Sequence, residues 1–79
     1  MKILLETRGL LKDYFKVQKK LGKIELKIST GKSIEDLINE YKIPKGFVSL
    51  IIVNGKMENL NYVIKDGNII KLYPPTSGG

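Results

Sequence analysis

The sequence predicts a two-layer α+β domain, a mixed β-sheet covered on one face by a single main helix. Three observations predict it. Lys2–Thr7 and Ile69–Tyr73, near the two ends of the chain, alternate apolar and polar residues with the period of a half-buried strand. Residues 34–41 place Ile34, Leu37, Ile38 and Tyr41 at i, i+3, i+4 and i+7, which is one apolar face of a helix. Asn54-Gly55 and Asp66-Gly67 then punctuate the second half of the chain as tight turns.

The elements follow in order. In the first strand Ile3 and Leu5 face the core, with Lys2, Leu4 and Glu6 opposite. Residues 10–20 contain Leu10, Leu11, Tyr14 and Phe15 at near-helical spacing, enough for a short helical turn. Gly22 marks a turn, after which Ile24, Leu26 and Ile28 alternate with Glu25 and Lys27 in a second strand that forms a hairpin with the first. Ser33 caps the helix, Asp36 stands in its first turn, and Pro44 ends it near Lys42. Residues 47–53 form a nearly continuous apolar run, read as a central strand buried on both faces. Asn54-Gly55 turns the chain into a short return strand around Met57. In the last strand Ile70 and Leu72 point inward, and Ile69, Lys71 and Tyr73 outward. Pro74 and Pro75 lack amide protons and end the pairing. The predicted core is Ile3, Leu5, Ile28, Leu37, Ile38, Val53, Ile70 and Leu72.

Composition narrows the chemistry. At 79 residues the chain is one domain with a small core. It has no cysteine and no histidine, which removes disulfides, thiolate catalysis, a histidine base and zinc sites of those ligands. The acidic residues show no paired spacing. An autonomous hydrolase or redox enzyme is not expected. No apolar run approaches the ~20 residues of a membrane helix, and Glu6 and Arg8 interrupt the start too early for a secretory signal. A cytoplasmic protein with no membrane partner is the expectation. The net charge is +6, and Lys16, Lys19, Lys20 and Lys23 crowd one stretch. With only Tyr14 and Phe15 nearby and no RNA-binding motif, that stretch reads as a solvated loop, and nucleic acid is not the expected partner.

The second half of the sequence is more specific. Val53-Asn54-Gly55, Asp66-Gly67, an apolar strand, Pro74-Pro75 and Gly78-Gly79 occur in an order and at a spacing that resemble the ubiquitin-like sulfur carriers. The likeness is greatest to the small subunit of molybdopterin synthase. Arg8-Gly9-Leu10 looks like the arginine-containing end of that family's first strand. Asn68 departs from the acidic residue that often follows Asp-Gly, and Tyr73 stands where an apolar aromatic often sits.

The resemblance implies a β-grasp fold, with four to five strands packed on one main helix. It implies a globular part over residues 1–73 and an extended tail over residues 74–79. It also implies chemistry at Gly79. An activating enzyme that uses ATP adenylates the carboxylate, sulfur replaces AMP, and the thiocarboxylate donates sulfur to a pterin precursor to form a dithiolene. The chain would bind no cofactor and would not be catalytic alone. Its partners would be the activating enzyme and the large synthase subunit. Pro74 and Pro75 would stiffen the tail root, Thr76 and Ser77 would extend it, and Gly78 would thin its tip. Leu4, Met57 and Tyr73 would form a partner surface on the outer face of the sheet, Met57 by its similarity to an apolar contact position of the family. Two other readings share the tail. One is a ubiquitin-like protein modifier, in which a lysine attacks the activated Gly79. The other is a sulfur carrier of another pathway, such as thiamine synthesis or tRNA thiolation. The Pro-Pro pair favours the molybdopterin carrier. A basic RNA-binding module with an incidental Gly-Gly is a third class.

Overall fold

The computed structural model describes residues 1–8, 11 and 23–75. Among them five strands form one mixed sheet: β1 (Lys2–Thr7), β2 (Lys23–Lys27), β3 (Leu50–Val53), β4 (Lys56–Glu58) and β5 (Ile69–Tyr73). The order across the sheet is β2-β1-β5-β3-β4. β1 and β5 lie side by side at the centre and run parallel, with Leu5 beside Ile70 and Thr7 beside Leu72. The other pairings are antiparallel. Helix α1 (Ile34–Glu40) packs Ile34, Leu37 and Ile38 into the core. Each is 0% exposed, and burying each contributes roughly 1.5–3 kcal/mol. The architecture is the β-grasp, ubiquitin-like fold.

A helix of seven residues is marginal by itself, so its first-turn amides decide whether it forms. All four are satisfied. Ile34 donates to the Tyr62 carbonyl and Glu35 to the Leu60 carbonyl, each at 3.0 Å. Leu37 donates to the Ser33 carbonyl at 3.1 Å. Asp36 donates to Ser33 Oγ at 3.1 Å, and the Asp36 carboxylate accepts from the Ser33 amide at 3.0 Å, a reciprocal cap. The loop before β5 thus completes the helix, and it buries Ile64 alongside.

The turns explain themselves. Asn54 (φ 50°) and Gly55 (φ 85°) are both left-handed, the geometry of a two-residue hairpin loop between Val53 and Lys56. Asn54 Oδ1 also accepts from the Ile69 amide at 2.7 Å, which ties the hairpin to β5. In the next turn Asp66 Oδ1 accepts from the Lys2 amide at 2.8 Å, and Gly67 donates to the Lys2 carbonyl at 2.8 Å. Asn68, only 4% exposed, accepts from the Lys65 amide at 2.8 Å and from the Tyr62 hydroxyl at 3.3 Å.

Seven of the eight expected core residues are buried: Ile3, Leu5, Leu37, Ile38, Val53, Ile70 and Leu72. Ile28 is half-buried, because it lies one residue past the end of the edge strand β2. The expected strand over residues 47–53 is shorter and one-sided. Phe47 sits on a 3-10 turn (Lys45–Phe47), and in β3 only Ile51 and Val53 are buried. The helix stops at Glu40, before Lys42. Lys42 donates to the Asn39 carbonyl and Ile43 to the Ile38 carbonyl, which closes the helix end with Lys42 left-handed at φ 58°. The expected helical turn over residues 10–20 lies outside the described residues apart from Leu11, which is fully buried.

Two outcomes are expected. Ser33→Ala lowers stability by about 1 kcal/mol, measured by chemical denaturation. The two hydrogen bonds from Ser33, backbone first, hold the Asp36 carboxyl below its ordinary 3.8. A lowered folded value favours the folded state above pH 3.8, and that contribution is lost as pH falls through the folded value, so the stability gap between wild type and Asp36→Asn narrows in acid. Lys42→Gly removes the strain of a left-handed lysine and raises stability by about 0.5–1 kcal/mol in the same assay.

Candidate functional site

The parallel pairing of β1 with β5 determines where the tail begins. Because the two strands run in the same direction, the end of β5 lies at the end of β1. Arg8 follows β1 there, with its guanidinium 5.8 Å from the centroid of the Tyr73 ring, within cation–π range. Leu50, at the start of β3, lies opposite Tyr73. Lys23, at the start of β2, lies opposite Glu6 at this same end. The last sheet hydrogen bond runs from the Ser49 amide to the Tyr73 carbonyl at 2.8 Å. Pro74 and Pro75 come next, half-buried and exposed respectively. Beside them is a small apolar notch of about 150 Å³ lined by Leu11, Phe47, Pro74 and Pro75.

The face of the sheet away from α1 carries the three expected partner-surface residues. Leu4 and Tyr73 are half-buried, and Met57 is 72% exposed. They share the face but do not form one cluster, since strand spacing puts them roughly 10–15 Å apart. Each has an apolar cross-strand neighbour: Leu4 lies beside Ile69, Met57 beside Ile52, and Tyr73 beside Leu50. The face is therefore apolar at three points. Lys71, with Ile52 on one side and Glu6 on the other, adds charge between them. Lys2, Lys27 and Glu25 fall on the β2 side of the same face. Ile52 and Leu50 were not expected on this surface, because they sit inside an apolar run with no alternation to mark which side they face.

Thr76, Ser77, Gly78 and Gly79 lie outside the described residues, as do Lys16, Lys19 and Lys20. Among the described residues no group of three or more His, Cys, Asp or Glu is placed to hold a metal ion. None of their helices is long and apolar enough to cross a membrane.

Known proteins place this geometry. SAMP1 from Haloferax volcanii is similar at a TM-score of 0.68 with 15% identity, covering 100% of both chains. Urm1 from Trypanosoma brucei is similar at a TM-score of 0.65 with 16% identity, over 99% of this chain and 95% of that one. A chain in the complex of subunits 1 and 2 of molybdopterin-converting factor from Helicobacter pylori is similar at a TM-score of 0.59 with 25% identity, over 100% of both chains. No curated protein matches the sequence. The family model described as Mut7-C ubiquitin matches residues 1–78, nearly the whole sheet-and-helix unit and the tail root together. On that match, and with the fold in agreement, the chain belongs to the Mut7-C ubiquitin family.

Proposed function

We propose that this chain is a ubiquitin-like sulfur carrier that acts as the small subunit of molybdopterin synthase, with the Gly79 carboxylate as the sulfur-bearing group. The observation that carries the reading is the central parallel pair. It brings the Pro74-Pro75 root out at one end of the sheet, next to an outer face with exposed apolar residues. A chain presented this way can dock by its sheet while its tail enters a second protein. The similar Helicobacter pylori chain comes from a two-subunit complex, which supports a large-subunit partner here.

A free carboxylate is a poor electrophile. Attack of its oxygen on ATP, catalysed by an activating enzyme, releases pyrophosphate and leaves an acyl adenylate. A sulfide donor then displaces AMP and leaves the thiocarboxylate. The chain's own part is delivery. Prolines at 74 and 75 favour an extended root, and glycines at 78 and 79 carry no Cβ to obstruct a narrow channel. Six residues reach roughly 20 Å at ~3.3 Å each. The lysines and Arg8 around the outer face would meet an acidic surface on the partner and speed its encounter.

Incubation with ATP, an activating enzyme and a sulfide donor is expected to raise the intact mass by the difference between one sulfur and one oxygen. Deletion of Gly79 abolishes that gain while leaving stability within about 0.5 kcal/mol of wild type. A full gain in the deleted chain would overturn the reading. Conjugates to protein lysines in place of the thiocarboxylate would identify a modifier. The double variant Met57→Asp/Tyr73→Asp is expected to bind the large subunit at least about tenfold more weakly, or 1.4 kcal/mol, by calorimetry. Undiminished binding would remove the outer face from the interface.

A further inference from the structure

Strand pairing does not determine where the tail points. It ends at the bond from the Ser49 amide to the Tyr73 carbonyl, and the two prolines that follow have no N–H to offer the sheet. A tail hinged only at Tyr73 would sweep a wide range of directions. The surroundings of the prolines argue against that freedom. Pro74 and Pro75 border the same apolar notch as Leu11 and Phe47. Leu11 is 0% exposed and so is anchored in the core. Phe47 is held on a short turn, its amide donating to the Pro44 carbonyl at 2.9 Å, while Val48 donates to the Lys45 carbonyl at 3.2 Å. Only two residues separate Phe47 from Ser49, the last residue bonded to Tyr73. The ring therefore stands beside the point where the tail departs. At 39% exposed it remains partly open to water, although a large apolar side chain gains by being covered.

We infer that Phe47 is a positioning residue for the tail: with Leu11 it holds Pro74 and Pro75 against the domain and so fixes the direction in which the terminal glycines leave. The inference rests on the sulfur-carrier reading. It shortens the freely moving part from six residues to four, and the reach of that part from roughly 20 Å to roughly 13 Å. The reacting carboxylate is then searched for in a smaller volume. A misplacement of ~1 Å at a reacting atom can cost ~100-fold in rate, so the effect belongs to the catalytic step and not to docking.

The experiment measures adenylation by pyrophosphate exchange, with an activating enzyme that accepts the wild-type chain, as a function of chain concentration. Phe47→Ala is expected to lower kcat at least about tenfold with KM within about twofold, and Phe47→Leu to restore most of the loss. In the wild-type chain, nuclear Overhauser contacts join the Phe47 ring to the Pro74 and Pro75 rings. Pro74→Gly/Pro75→Gly gives the same fall in kcat, and adding Phe47→Ala to it gives no further loss, since both act through one contact. If Phe47→Ala melts too low to assay, the proline variant and the ring contacts decide. An unchanged kcat in the assayable variants, a rise in KM alone, or absent ring contacts would overturn the inference. A rise in KM alone would mark the notch as a contact for the activating enzyme. The Gly79 deletion runs in parallel: if it is inactive while the Phe47 and proline variants are normal, the carrier reading stands and this inference falls.

Discussion

The pairing of β1 with β5 is the contact on which the rest of this molecule depends. It joins residues from opposite ends of the chain, Leu5 to Ile70 and Thr7 to Leu72, so forming it closes nearly the whole sequence into one loop. That closure costs chain entropy before any contact offsets it. The offset is burial, since Ile3, Leu5, Ile70 and Leu72 are at most 1% exposed. The turn ahead of β5 secures the register. Asp66 and Gly67 both bond Lys2, and Leu4 donates to the Asn68 carbonyl at 3.0 Å. Asn68 is neutral where an acidic residue would have to be buried with its charge, which suits a side chain that accepts two hydrogen bonds inside the fold. Thr7 Oγ1 is buried with no partner among the described residues, a small cost borne at the end of the central pair.

Much of the fold was legible where one rule acted alone. Alternation placed Ile3, Leu5, Ile70 and Leu72 on the inner face. Ser33 and Asp36 announced the start of the helix, and Asn54-Gly55 the hairpin. What escaped had competing causes. The end of α1 was misjudged because a lysine occupies the left-handed position where glycine would have signalled the stop. Ile43 and Ile64 belong to connecting segments with no period to betray burial, and Leu11 stands by itself among the described residues. The run over residues 47–53 misled for a more interesting reason. An unbroken apolar stretch is read as buried on both sides, yet Leu50 and Ile52 face outward and are only half-covered. Their apolar character has no explanation within the isolated chain, and it is what a sheet face that meets another protein would require.

The candidate site was legible in its parts more than in its arrangement. Period two correctly sent Leu4 and Tyr73 to the outer face. Neither period nor resemblance indicated that each would have an apolar neighbour across the strand gap, because those neighbours follow from register: Leu50 opposite Tyr73, Ile52 opposite Met57, and Ile69 beside Leu4. Register is a property of the assembled sheet. The proximity of Phe47 to the prolines is likewise tertiary, since 27 positions separate Phe47 from Pro74 in the sequence.

The strand order has a consequence for solubility. The central places go to β1 and β5, which leaves β2 and β4 at the two margins with unpaired backbone groups. Such margins invite a second copy to add its own strand and extend the sheet without limit. Here one margin is the sequence KIELK, with a lysine at each end, and the other is only three residues long. Like charges meeting along β2 repel, and β4 offers too few bonds to hold a visitor. A chain that shows Met57 and Ile69 to water can thus accumulate at working concentrations without growing into fibres. The aggregation hazard is confined to the one surface where association is wanted.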